Sequence, residues 1–268
     1  MLENRLDQKF ARLREEKKAA FVAYLAAGDP TLDATLELVM ALEGAGVDII
    51  ELGLPFSDPL ADGIVNQLAA QRALESGTTT AGVIELIRRI REHSSIPLVL
   101  FTYLNPVYTY GFEKFHADAA AAGADGVLLL DLPPDEAAAN SELTGTHGLR
   151  QIRLIAPTTP PARMRDIGSQ GEGFIYYVSR EGVTGEQSEL ATNIAENVAI
   201  IKSGSGVPVC VGFGISTPDQ AAAVARSADG VVVGSAIVKT IATHGSSPNL
   251  ASLVADFVRP LVEATKSV

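Results

Sequence analysis

Ala121-Ala122-Gly123-Ala124-Asp125-Gly126 closes a helix-like stretch and opens a strand-like run, and the same grammar stands at Glu43-Gly44-Ala45-Gly46-Val47-Asp48 and at Arg226-Ser227-Ala228-Asp229-Gly230. In each, small residues end the helix, a polar residue follows, and an apolar run begins. Such turns join helix to strand at the base of a βα repeat. Working outward, short apolar runs recur at Ala20–Ala27, Asp48–Leu54, Pro97–Tyr103, Asp125–Asp131, Gln151–Ala156, Gly173–Val178, Val207–Gly212 and Gly230–Gly234. Their interiors are rich in Val, Ile, Leu and Phe and largely lack polar alternation, which suits parallel strands buried on both faces.

Helix-like stretches lie between the runs. Thr31–Gly46 places Leu32, Leu36, Val39 and Met40 on one face, with Pro30 fitting a first turn and Gly46 a C-terminal cap. Thr80–His93 gathers Val83, Ile84, Ile87 and Ile90. Glu113–Ala122, Pro134–Thr144, Pro161–Ser169, Leu190–Lys202, Pro218–Ser227, Ser235–Thr243 and Pro248–Thr265 complete the set. Eight strand–helix units in 268 residues point to an α/β protein, a single-domain (β/α)8 TIM barrel over 1–268, with residues 1–18 forming an extra N-terminal helix. A doubly wound open sheet is the alternative, but the glycine fingerprint after strand one is missing.

The formal charge of −11, from 21 basic and 32 acidic residues, argues against nucleic acid or an anionic membrane as a partner. A small anionic substrate stays open, because a few backbone amides bind a phosphate locally. The single cysteine, Cys210, lies inside an apolar run, so it is expected to be buried and no disulfide forms within one chain. Met1–Lys18 lacks the apolar core of a signal peptide, and no apolar run reaches the ~18 residues of a membrane span. The expectation is a cytoplasmic protein.

In a barrel of this kind the chemistry sits on the loops that follow the strands. After strand two the chain reads Asp48-Ile-Ile-Glu51-Leu-Gly-Leu-Pro-Phe-Ser-Asp-Pro-Leu-Ala-Asp62-Gly63. A carboxylate on a buried strand is costly unless paired, protonated or used, and a second follows in the loop. After strand seven comes Gly212-Phe-Gly214-Ile-Ser216, and after strand eight Gly234-Ser235-Ala236 opens a helix. Those are the recurring phosphate loops of this architecture. Ser179-Arg-Glu-Gly-Val-Thr-Gly185, after strand six, reads as a lid.

No lysine falls at a strand end, as a Schiff-base aldolase would need. His93, His116, His147 and His244 show no metal-ligand spacing and read as surface residues, so no metal is expected. What remains is Glu51, Asp62 and Asp131 with the phenols of Tyr24, Tyr103 and Tyr176 or Tyr177, a set suited to proton transfer.

Glu51–Gly63, Ser179–Gly185, Gly212–Ser216, Gly234-Ser-Ala-Ile-Val-Lys239 and Ala26-Ala-Gly-Asp-Pro30 together resemble the tryptophan synthase alpha subunit family. The resemblance implies retro-aldol cleavage of indole-3-glycerol phosphate to indole and glyceraldehyde 3-phosphate. It implies Glu51 as the general acid on indole C3, Asp62 as acceptor of the indole N–H, and Tyr176 as the active-site tyrosine. It implies Gly185, Gly214, Gly234 and Ser235 around the phosphate, Tyr24, Leu128 and Phe213 around the indole, and Arg180, Gly182 and Thr184 on the lid.

The family also implies that this chain carries no cofactor. Pyridoxal phosphate belongs to a partner beta subunit in an alpha2-beta2 heterotetramer, which would meet Pro55, Phe56, Asp58 and Pro59. Phe56 and Leu60 are expected to be exposed there. The chain departs from the family in having Ile64-Val65-Asn66 where a proline commonly follows Asp62-Gly63, and Tyr24 where a phenylalanine can sit. Other readings are a stand-alone lyase of the same chemistry, a non-catalytic phosphate-ligand-binding regulatory barrel, and a phosphosugar isomerase.

Overall fold

The computed structural model describes residues 4–133, 136–179, 187–212 and 214–268, with side chains from 194 onward in the helix that begins at Gln187. Eight parallel strands close into one barrel in sequence order: β1 (Ala20–Ala26), β2 (Ile49–Gly53), β3 (Leu98–Thr102), β4 (Gly126–Leu129), β5 (Arg150–Ile155), β6 (Ile175–Val178), β7 (Val209–Gly212) and β8 (Gly230–Val233). The helices outside it are α2 (Leu32–Gly44), α3 (Ile64–Glu75), α4 (Thr80–Arg91), α5 (Leu104–Tyr110), α6 (Phe112–Ala122), α7 (Ala137–Thr146), α8 (Pro161–Ser169), α9 (Gln187–Gly204), α10 (Pro218–Ala225), α11 (Ser235–His244) and α12 (Leu250–Lys266). The expected N-terminal helix is α1 (Arg5–Glu15).

Alternation along each strand divides the core. Phe21, Leu25, Ile50, Leu52, Leu98 and Leu100 face outward into one apolar layer with the helices. Val22, Ile49, Val99, Leu128, Ile152, Phe174, Cys210 and Val232 fill the barrel. Helix α1 closes that interior from below with Leu6, Phe10 and Leu13, and the Phe10 ring lies 5.8 Å from that of Phe174. Cys210 is fully buried, as expected of a small apolar residue.

The repeated helix-to-strand grammar has a specific physical role. The aspartates it places at the base of β2, β4 and β8 each bond a backbone amide at the start of a neighbouring strand. Phe21 N–H donates to Asp48, Leu98 N–H to Asp125 and Val209 N–H to Asp229, each at 2.8 Å. Each carboxylate also holds a cation: Lys266 on Asp48, Arg91 on Asp125 and Lys202 on Asp229. The aspartates thus supply acceptors to backbone amides where the strands begin, and complete the hydrogen bonding of the barrel floor.

The sequence reading needs several corrections. Helices α3 and α5 were not among the expected elements. The apolar residues of α3 do not form one clean stripe, since Ile64 and Leu68 face outward, and α5 is only 7 residues long, with Pro106 in its first turn. Pro30 is not in the first turn of α2. Thr31 is the N-cap, its hydroxyl accepting from Ala34 N–H at 3.1 Å, and Asp29–Pro30 is a cis peptide before it. Gly46 follows the helix end with φ of +96°, the cap role foreseen. His116 is fully buried rather than at the surface, with Nδ1 2.8 Å from the Phe112 carbonyl oxygen.

Candidate active site

Glu51 is the third residue of β2, between Tyr24 of β1 and Val99 of β3 in register. The parity that sends Ile49 into the barrel sends Glu51 there too. Its side chain is wholly buried and neither carboxyl oxygen has a hydrogen-bond partner. Desolvation alone drives its pKa up to about 8, so at neutral pH the group holds its proton.

Asp62 sits eleven positions on, in the loop between β2 and α3, and is half-buried. The Tyr103 hydroxyl donates to Asp62 Oδ2 at 2.8 Å while accepting from Ala61 N–H at 2.9 Å. Asn66 Nδ2 donates to the other oxygen at 3.4 Å. Burial raises the Asp62 pKa, and these two hydrogen bonds oppose the rise by favouring the charged form. The two carboxyls therefore stand in different environments, one dry and unpartnered, the other hydrogen-bonded and partly wet.

Aromatic rings cover the space above Glu51. Tyr24 points inward from β1 and meets Phe101 of β3 edge-on, with centroids 5.1 Å apart. Tyr176 points inward from β6, 6.5 Å from Phe101. Both rings depend on a glycine of the next strand. A Cβ at Gly53 would overlap the Tyr24 hydroxyl, and one at Gly212 the Tyr176 hydroxyl. Burial and the nearby Glu51 and Asp62 raise both phenol pKa values well above the ordinary range, so neither is an anion at neutral pH. Tyr177, the other candidate on β6, faces outward and accepts from Asn197 Nδ2 at 2.8 Å. A cavity of about 10 Å³ lies among Tyr24, Gly53, Asp62, Asn66, Phe101 and Tyr103.

The remaining expected residues distribute as follows. Gly234 is the N-cap of α11 and Ser235 its first residue, with no side chain capping the free amides. Gly214 follows β7 with φ of +70°, where a side chain would be strained. Leu128 faces inward but is fully buried in the core, beside Phe101 in register. Phe101, which lines the cavity, was missed, because strand parity selects it only once the register is known. Asp131 is not at the site: it accepts from Leu104 N–H at 2.6 Å and holds the start of α5. Arg180, Gly182, Thr184, Gly185 and Phe213 lie outside the described residues.

In the loop after β2, Pro55 is buried and Asp58 exposed, accepting from the Ser57 hydroxyl at 2.6 Å, with Pro59 between these extremes. Phe56 is half-covered rather than exposed, its ring 5.5 Å from that of Tyr103. Leu60 is 91% exposed, and Ile64, Leu68 and Tyr108 add apolar surface on the loop and helices that follow β2 and β3. Among the described residues no group of three or more His, Cys, Asp or Glu is placed to hold a metal ion, and no helix is long and apolar enough to cross a membrane.

Comparison with known proteins agrees with this geometry. A family model described as tryptophan synthase alpha chain matches residues 10–265. The tryptophan synthase alpha chain of Opitutus terrae is 50% identical over 98% of this chain and 99% of its own length. The crystal structure of tryptophan synthase subunit alpha from Legionella pneumophila superposes with a TM-score of 0.90, at 37% identity over 98% of each chain. A chain of Mycobacterium tuberculosis tryptophan synthase, in an aminoacrylate-bound form, matches with a TM-score of 0.87 at 32% identity, over 98% of this chain and 100% of that one. The closed barrel and the matches along its whole length lead to one conclusion: this chain belongs to the tryptophan synthase alpha chain family, lyases of tryptophan biosynthesis.

Proposed function

We propose that this chain cleaves indole-3-glycerol phosphate by a retro-aldol step, with Glu51 as general acid and Asp62 as the carboxylate that accepts the indole N–H. The observation that carries this reading is the split between the two carboxyls. Glu51 is protonated at neutral pH for want of any partner, while Asp62 has donors that favour its anion. A protonated acid delivers a proton to indole C3. The resulting iminium stores the electron pair released when the C3–glycerol bond breaks, and Asp62 stabilises the positive charge on nitrogen. The glycerol hydroxyl loses its proton as the carbonyl of glyceraldehyde 3-phosphate forms, and Glu51, now ionised, is the base at hand.

The Tyr24, Phe101 and Tyr176 rings, which meet one another at 5.1 and 6.5 Å, would be the walls against which the indole lies. The free amides at Gly234 and Ser235, with Gly214 and Gly185, would hold the phosphate. Family membership brings a beta subunit as partner. We assign its docking to Pro55–Leu60, where an apolar side chain stands almost fully in solvent, and infer an alpha2-beta2 assembly whose pyridoxal phosphate resides on beta, in the cytoplasm.

The test is Glu51→Gln assayed for indole release. Turnover is expected to fall at least a hundredfold, on the order of a lost general acid, while a glycerol-phosphate analogue still binds. Undiminished turnover would remove Glu51 from the chemistry.

A further inference from the structure

Asn66 does not behave as a surface helix residue. It is the third residue of α3, turned back toward the loop so that Nδ2 meets Asp62 Oδ1. Its own Oδ1 is buried with no protein partner and it lines the small cavity beside Tyr24, Phe101 and Tyr103. At about 10 Å³ that cavity has room for one water, which would complete the amide's hydrogen bonding. An amide half buried in this way is costly unless it serves a neighbour.

We propose that Asn66 is a positioning residue: together with Tyr103 it clamps the Asp62 carboxylate from both sides and keeps it ionised and aimed at the barrel mouth. The proposal rests on the role given to Asp62 above. Each oxygen of Asp62 has one side-chain donor, Tyr103 from the end of β3 and Asn66 from α3. Asp62 also precedes a helix N-terminus that has no side-chain cap, where a negative charge is favoured. The titratable groups that feel its charge are Tyr103, Tyr24 and Tyr176, all neutral at pH 7. Arg72, farther along α3, is committed to Asp29 at 2.7 Å. No lysine or arginine donates to Asp62 among the described residues. The two neutral donors are thus what opposes its desolvation.

The experiment is a carboxyl-carbon NMR titration of Asp62 in the full, substrate-free chain, for wild type and Asn66→Leu, beside the pH profile of kcat/KM for indole release. The Asp62 pKa is expected to rise in Asn66→Leu, and the acid limb of the profile to rise with it. On the acid limb, where Asp62 is largely protonated, kcat/KM would fall about three- to tenfold, the worth of one hydrogen bond, chiefly in kcat, and recover at higher pH. Asn66→Ser, which keeps a donor, should restore part of both, and it serves if Asn66→Leu does not fold. An Asp62 that titrates at the same pH in wild type and variants overturns the proposal. A uniform activity loss at all pH values does so too, since it shows a merely structural role. Failure of the reaction assignment itself would show separately: Asp62→Asn would leave indole release intact while the NMR difference persisted.

Discussion

Glu51 is the residue at which stability and activity conflict. An unfolded glutamate releases its proton near 4.5, whereas the folded group holds it to about 8. Below the lower value both states are protonated and the group is neutral in its effect. As pH rises between the two, only the unfolded chain gains by ionising, so wild type loses stability, about 3 kcal/mol by pH 7. Glu51→Gln escapes this loss. Urea melts should show the variant and wild type alike at pH 4 and the variant more stable at pH 7, with the gap closing again only on return to acid. A constant gap across pH would mean that the native Glu51 pKa is ordinary.

The same residue sets the upper limb of activity. Indole release should rise as Asp62 ionises, at a pH above the usual carboxylate range, and fall as Glu51 loses its proton near 8. A rate that keeps rising past pH 9 would exclude Glu51 as the acid.

At the scale of elements, the paired strands β1–β2 and β6–β7 use one device twice. An inward tyrosine on the first strand lays its hydroxyl over an inward glycine on the next, Tyr24 over Gly53 and Tyr176 over Gly212. In register each glycine lies two residues beyond the tyrosine's own partner, Glu51 or Cys210. Gly212→Ala should therefore displace the Tyr176 ring and cost about 1–3 kcal/mol, with kcat/KM for indole release reduced. Denaturant melts and kinetics check this together, and a fully stable, fully active variant would show that the ring has room to give. The same parity argument explains what was readable in advance. Glu51 and Tyr176 announce themselves by motif, whereas Phe101 looks like an ordinary strand residue and Asn66 lies in a helix the sequence does not announce, until register and helix phase bring them to Asp62.

The whole molecule separates its tasks between two faces. The ends where strands begin carry the aspartate clamps and α1; the ends where they finish carry Glu51, Asp62 and the glycine loops. Asp125 is 2% exposed and pairs with Arg5 at 2.8 Å and Arg91 at 2.7 Å besides the Leu98 amide. Asp125→Ala strands a mostly buried guanidinium and an amide, a loss of about 3–5 kcal/mol. Its KM for the phosphorylated substrate should be unchanged where the protein remains folded. Thermal melts with steady-state kinetics test this, and an altered KM would mean that the floor of the barrel is coupled to its mouth.

The amino-acid sequence by itself determined the repeat, the barrel, the buried carboxylate and the family, because these follow from local spacing: apolar runs, turn residues and contiguous motifs. Tertiary structure alone decided that Phe101 lines the site, that Asp131 holds α5 instead of reacting, and that Tyr103 and Asn66 grip Asp62. The physical reason is that inward or outward orientation depends on strand parity and on the closure of the barrel. Those bring together groups more than forty positions apart, as Tyr103 and Asp62 are.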